Sequence, residues 1–194
     1  MTTKTEKNQT NTHGGFDALC ADFLMLLSVS FLGWAMETVL GFFQTGRFQD
    51  RGFLYAPFCP IYGCSVIAAY FLLGTPDEGR FLLKKVQNKG LRYLLYFFLV
   101  AIIPSLAEFL VGFFFDKAFG VWLWSYSGMP LNLYGYVCLP ISIVWAALIY
   151  AFMKFAFTPL RNFFMRLPKP ALRALAITLF SLLAVDLFFS SLNL

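Results

Sequence analysis

The sequence predicts an all-α integral membrane protein with about five transmembrane helices, and three observations support this prediction. Hydrophobic residues make up 59% of the 194 residues and charged residues only 13%, and the mean hydropathy is +0.70. Soluble domains usually carry about 25% charged residues. The apolar residues form runs long enough to cross about 30 Å of hydrocarbon. The charges lie between these runs and not on one face, so the net charge of +5 does not indicate nucleic-acid binding.

Five apolar runs qualify as spans. They cover residues 23–43, 57–74, 93–115, 133–155 and 171–192. Pro57 lies where a helix tolerates proline, at its first turn. Pro104 lies in the middle of the third run and predicts a bend there. We therefore expect a polar, disordered tail over residues 1–16 and a single transmembrane domain over residues 17–194.

The basic residues orient these spans. With five spans, the N-terminal tail and the second and fourth loops share one side, which carries twelve of the 15 Lys and Arg residues. The other side carries Arg47, Arg51 and Lys117. By the positive-inside rule, the N-terminus is expected in the cytoplasm and the C-terminus outside.

An internal repeat divides the first four spans into two hairpins. The pattern E-x-x-x-G-F-F occurs at 37–43 and again at 108–114, at the ends of spans one and three. A second match follows each, at 54–59 and at 133–138. We interpret spans one and two and spans three and four as parallel hairpin repeats, followed by a fifth helix. Sites in such proteins usually lie at the interface between repeats.

Acidic residues occur inside three spans, where each would cost about 2.5–3.5 kcal/mol near the bilayer centre. Glu37, Glu108 and Asp186 are expected at one depth, roughly 9 to 10 Å inside the outer ends of their helices. Each glutamate precedes a glycine by four residues, on the same helix face, where another helix can approach. Two interpretations stay open. Arg47 and Arg51 pair with the glutamates as a structural lock, or the acids form an outward-facing pocket for a cation, a proton or a cationic group.

The loop 116–132 is rich in aromatic residues. One interpretation is an amphipathic cover at the membrane interface, and the other is a lid over the acidic pocket. The candidate binding residues are Glu37, Glu108, Asp186, Arg47, Arg51, Trp34, Tyr62, Trp124, Tyr126 and Asn132.

Several motifs are missing from the sequence. The four cysteines form no C-x-x-C pair and the one histidine, His13, lies in the tail, so we predict no metal site and no cofactor. There is no G-x-x-x-x-G-K-[ST] phosphate loop, no G-x-S-x-G and no H-E-x-x-H. The chain is therefore not expected to be an enzyme or to hydrolyse ATP itself.

Three segments carry a family resemblance. The W-x-x-E of 34–37, the run RGFLYAPFCPIYG at 51–63 and the run WSYSGMPLNLYG at 124–135 resemble the bacterial type IV ABC-transporter permease family, called CmpB-like. The chain departs from the family pattern at Ser125 and Tyr136, where an aspartate and an arginine are expected. The resemblance implies a polytopic protein of the bacterial cell membrane with a transport role.

Three functions therefore compete. The first is a permease-like transport component with an acidic outward-facing pocket. The others are a non-catalytic folding or regulatory partner of another membrane protein, and a membrane-embedded enzyme acting on a lipid-linked substrate. Besides the bilayer, the expected partner is a separate ATPase subunit or a second copy of the chain. The basic loops 80–92 and 154–173 would dock an ATPase or bind anionic lipid headgroups.

Overall fold

The computed structural model of the chain describes residues 15–47 and 54–192. Helices dominate this part of the chain, and one short antiparallel hairpin pairs Asn132 with Cys138. The elements in chain order are α1 (Gly15–Thr45), α2 (Pro60–Leu73), α3 (Lys89–Phe119), β1 (Asn132–Leu133), β2 (Val137–Cys138), α4 (Leu139–Ala151), a π-helical stretch (Phe152–Ala156), α5 (Phe157–Met165) and α6 (Lys169–Ser191).

Within the described residues, four helical segments are long and apolar enough to cross a membrane. They are α1, α3, the continuous helix Leu139–Met165 and α6. The all-α membrane class is therefore confirmed. The second predicted span, 57–74, is shorter than expected, because α2 begins only at Pro60 and has 14 residues. Its length of about 21 Å is less than the hydrocarbon thickness, and the non-helical residues 54–59 precede it.

The fourth span is longer than predicted and passes through a π-helical stretch. Pro159 has no backbone N–H, and in a regular helix its ring would clash with the carbonyl four residues earlier, that of Phe155. The wider turn relieves this conflict. The N–H of Phe157 bonds the carbonyl of Phe152, five residues back. The helix therefore continues to Met165, ten residues beyond the predicted end of the span.

The helices pack in the pairs that the repeat predicts. Helix α1 packs on α2 and α3 packs on α4, while α2 and α3 join the two hairpins. Helices α5 and α6 pack on α1. Cys59 and Cys138, which match in the repeat, both lie at the N-caps of their helices in extended backbone conformations. Each helix has a proline in its first turn, so the two copies share local structure as well as sequence.

Glycines bring α1 and α2 into close contact. A Cβ atom on Gly33 of α1 would lie 2.2 Å from the ring of Tyr62. A Cβ atom on Gly63 of α2 would lie 2.2 Å from the carbonyl oxygen of Leu26. Only glycine fits at these positions without movement of the helices or of the Tyr62 ring. The contact places Tyr62 along the surface of α1.

The two ends of the bundle differ in chemistry. We call the end with residues 54–59 and 120–138 the hairpin end, and the end with Gly15 and the loop 74–88 the ion-pair end. At the ion-pair end, Asp17 lies 2.6 Å from Arg173 and Asp22 lies 2.6 Å from Arg161.

Helix α1 begins eight residues before the predicted span. The division into a tail and a membrane domain remains a prediction, since residues 1–14 lie outside the described part.

Candidate functional site

The glutamate of the first repeat lies at the contact between α1 and α2. The hydroxyl of Tyr62 donates a hydrogen bond to the carboxylate of Glu37. The Tyr62 ring fills the space above Gly33 and lies 4.9 Å, centroid to centroid, from the ring of Trp145 on α4. Glu37 is partly buried. The first hairpin therefore presents its carboxylate beside the second hairpin.

The glutamate of the second repeat is held by the loop that follows its helix. The hydroxyl of Tyr126 donates to the carboxylate of Glu108 at 2.8 Å. Burial, reinforced by the negative charge of Glu108, raises the pKa of the Tyr126 hydroxyl. The hydroxyl therefore stays protonated and remains a donor. Each repeat thus supplies one glutamate and one tyrosine, although the two tyrosines come from different parts of the hairpins.

These side chains form one group, which we call the Glu–Tyr cluster: Glu37, Tyr62, Glu108 and Tyr126. Glu37 lies close enough to Glu108 and to Tyr126 to interact electrostatically with both. Tyr126 interacts with Tyr62 in the same way. Over residues 15–47 and 54–192, no lysine or arginine forms an ion pair with either glutamate. Two carboxylates that interact electrostatically, and that form no ion pair with a described lysine or arginine, favour binding of a proton or a positive group.

The loop 120–131 and the β1–β2 hairpin cover the C-terminal part of α3. The rings of Trp122 and Tyr136 stack at 5.2 Å, and the indole N–H of Trp124 donates to the Tyr136 carbonyl at 2.8 Å. The Tyr136 hydroxyl donates to Asp116 at 2.6 Å. These contacts hold the chain from which Tyr126 reaches Glu108.

The glycine of the second E-x-x-x-G pattern serves this loop. We expected Gly112 to admit another helix, but its neighbours are the rings of Trp124 in the loop and Tyr136 in the β1–β2 hairpin. A Cβ atom at Gly112 would lie 3.2 Å from the ring of Tyr136 and 3.4 Å from that of Trp124. Gly112 therefore allows the loop, and not a helix, to approach α3 closely.

Asp186 binds a different part of the chain. Its carboxylate accepts hydrogen bonds from the backbone N–H groups of Tyr55 at 3.0 Å and Ala56 at 2.9 Å. The hydroxyl of Ser190 donates to it at 3.3 Å. An unsatisfied backbone N–H at membrane depth costs several kcal/mol. Asp186 therefore stabilises the non-helical segment before α2, and no described hydrogen bond joins it to either glutamate.

Three of the remaining predicted residues, Arg47, Trp34 and Asn132, are among the described residues. Arg47 is exposed beyond the end of α1 and Trp34 stacks on Phe31 at 5.9 Å. The side chain of Asn132 fastens the turn before α4 through the Met129 carbonyl and the Gly135 N–H. Arg51 lies outside the described residues. Of the ten predicted residues, the structure thus brings four together in the cluster, and Trp124 and Asn132 support the adjoining loop.

Two features near the cluster were not predicted. Trp145 contacts Tyr62, and the hydroxyls of Ser105 and Ser142 lie 2.7 Å apart between α3 and α4. Ser105 lies three residues before Glu108, on the same face of α3, and this spacing could have identified it. Trp145 gave no such signal, since a tryptophan in an apolar run is typical of any membrane helix.

Two clefts lie beside α6 and do not include the cluster. One, of about 290 Å³, is lined by apolar side chains of α1, α6 and the segment 56–58. The other, of about 530 Å³, lies between the end of α3 and α6 and is lined mainly by Phe and Leu. Within the described residues, no group of three or more His, Cys, Asp or Glu side chains could hold a metal ion.

The chain was compared with known protein families and proteins. A family model described as "Putative ABC-transporter type IV" matches residues 24–191, which is most of the chain. No curated protein and no solved structure matches the chain.

Proposed function

We propose that this chain, which belongs to the type IV ABC-transporter family of the matching model, is a permease-like component whose Glu–Tyr cluster binds a proton, a cation or a cationic group. The family match and the apolar helices support the broader role of a transport-related membrane protein. The permease role and the binding site are the further parts of the proposal.

One observation carries the proposal. Glu37 and Glu108 come from different repeats, interact electrostatically, and receive hydrogen bonds from tyrosine hydroxyls. Ionisable residues inside spans are costly and commonly mark the pathways of ions and substrates. A positive ligand would relieve the repulsion between the two carboxylates. A structural lock would instead be expected to pair each glutamate with a basic residue, as occurs at the ion-pair end.

The loop 120–131 would control access to the cluster. Among the described hydrogen bonds, only that of Tyr126 joins this loop to Glu108. A ligand that takes the place of the Tyr126 hydroxyl would therefore release the loop from Glu108. The sequence contains no phosphate loop. Any ATP hydrolysis that drives transport would therefore come from a separate subunit.

The proposal is tested with Glu37→Gln and Glu108→Gln. Glutamine keeps the shape and an oxygen acceptor for the tyrosine but removes the charge. Proteins are reconstituted in liposomes, and proton flux and uptake of sodium, potassium and tetramethylammonium are measured. We expect normal folding of both variants and loss of whichever flux the parent protein shows.

Glu78→Gln is the matched control, because Glu78 is an exposed acid in the loop 74–88, at the ion-pair end. It should transport as the parent does. If the two cluster variants keep full flux, or if both fail to accumulate as folded protein while the control accumulates, the cluster is a structural element. The alternative of a folding or regulatory partner would then be favoured.

A further inference from the structure

The loop 74–88 folds back along the end of α2. The N–H of Arg80 donates to the Leu73 carbonyl at 2.5 Å, and the N–H of Leu82 donates to the Leu72 carbonyl at 3.4 Å. Leu83 is only 2% exposed and belongs to the main core. The Tyr96 hydroxyl, about 10 Å along α3 from its start, donates to the carbonyl of Gly74. The loop therefore lies beside the helices and does not project away from them.

This fold displays an apolar surface, which we call the Phe81 patch: Phe71, Leu72, Phe81 and Leu82. Phe81 is 77% exposed and Leu82 is 50% exposed. Phe71 and Leu72, on the last turn of α2, are 51% and 39% exposed. Phe81 has a φ of 27°, a conformation that residues with side chains rarely adopt. The patch therefore joins the exposed last turn of α2 to the loop 74–88.

Positive charge lies directly beside the patch. Lys84, Lys85 and Lys89 are exposed, and none of them forms an ion pair within the described residues. The acids of the loop are engaged elsewhere. Asp77 accepts a hydrogen bond from the Tyr93 hydroxyl at 2.6 Å, and Glu78 lies 3.8 Å from Arg80. The three lysines are therefore available to an external anion.

We propose that the loop 74–88 anchors the chain to anionic phospholipids. Phe81 and Leu82 enter the boundary between headgroups and acyl chains, and Lys84, Lys85 and Lys89 contact the lipid phosphates. An anionic lipid suits this surface because it offers acyl chains to the Phe81 patch and a phosphate to the lysines beside it. This inference does not depend on the Glu–Tyr cluster.

The test compares the parent protein with K84Q/K85Q in a neutral detergent. Thermal unfolding is followed while phosphatidylglycerol or phosphatidylcholine is added. We expect phosphatidylglycerol to stabilise the parent protein at lower concentrations than phosphatidylcholine does. Each basic residue near an anionic surface contributes roughly 1 kcal/mol, so K84Q/K85Q should need at least about tenfold more phosphatidylglycerol for the same shift.

The control is R166Q/K169Q, which removes the same charge from the turn between α5 and α6. It should weaken the response to phosphatidylglycerol less than K84Q/K85Q does, because its charges do not lie beside the Phe81 patch. A second variant, Phe81→Ser, keeps every lysine and should also weaken the response, because it removes the apolar contact. The proposal is overturned if K84Q/K85Q and Phe81→Ser respond as the parent does, if R166Q/K169Q is equally impaired, or if inorganic phosphate reproduces the effect of the lipid.

Discussion

Helix α1 carries acidic residues toward both ends, and the groups that contact them differ between the two ends. At the ion-pair end, Asp17 and Asp22 each lie 2.6 Å from an arginine of another helix. At the hairpin end, Glu37 receives a hydrogen bond from Tyr62, a neutral donor. An arginine neutralises a carboxylate permanently, whereas a tyrosine leaves its charge in place. The same helix thus combines two acids that pair with arginines and one acid whose described hydrogen bond comes from a neutral group.

The strongest test of this contrast breaks an ion pair. Asp22→Ala leaves the largely buried Arg161 without its carboxylate, since their side chains are only 9% and 23% exposed. Removing one partner of a buried pair costs about 3–5 kcal/mol. We expect thermal unfolding in detergent to occur at a clearly lower temperature. The double variant Asp22→Leu with Arg161→Leu should recover much of the loss, and a single variant as stable as the parent protein would contradict the structural role of the pair.

A smaller effect is expected at the contact between α1 and α2. Gly63→Ala would place a Cβ atom 2.2 Å from the backbone oxygen of Leu26, which cannot move away as a side chain could. We expect a loss of about 1–3 kcal/mol, typical of overpacking, and a displaced Tyr62. Gly15→Ala is the matched control, because nothing lies within 4 Å of its added methyl group. Equal unfolding temperatures for the two variants would argue against the close approach of the helices.

The smallest effect is expected when the Tyr126 hydroxyl is removed, whereas Tyr62→Phe should cost about as much as Gly63→Ala. Tyr62→Phe and Tyr126→Phe each delete a hydrogen bond to a carboxylate, which usually contributes about 1.5–3 kcal/mol. We expect less than this for Tyr126→Phe, because the rest of its loop stays held by Trp122 and Trp124. Two quantities are measured for each variant: the unfolding temperature of the protein and the rate of proteolytic cleavage within the loop 120–131. If Tyr126→Phe leaves cleavage of this loop unchanged, the Tyr126 hydroxyl does not hold it closed.

Apolar run length predicted much of the fold. The ends of the predicted runs 93–115 and 171–192 lie within one or two helical turns of the ends of the observed α3 and α6. The start of α1 was missed because Asp17 and Asp22 make the sequence of its first turns polar. The arginines that pair with them are far away in sequence and come close only in the folded chain. The late start of α2 was missed for a similar reason, since Asp186, 130 residues away, stabilises the non-helical backbone before it.

The candidate site was predictable only in part. The repeated E-x-x-x-G-F-F pattern identified Glu37 and Glu108 and placed them in equivalent helices. It could not identify their donors as Tyr62 and Tyr126, which occupy different positions in the two hairpins. The path of the loop decides which hydroxyl reaches Glu108, and a periodic pattern carries no information about such a path.

The π-helical stretch Phe152–Ala156 changes the direction in which the side chains that follow it point. One extra residue in a turn rotates everything after it by about 100° relative to a regular α-helix. Trp145, before the stretch, contacts Tyr62, and Arg161, after it, contacts Asp22. Deleting a single residue such as Phe155 would restore the regular winding and swing Arg161 away from Asp22. One inserted residue thus lets a single helix face two different neighbours.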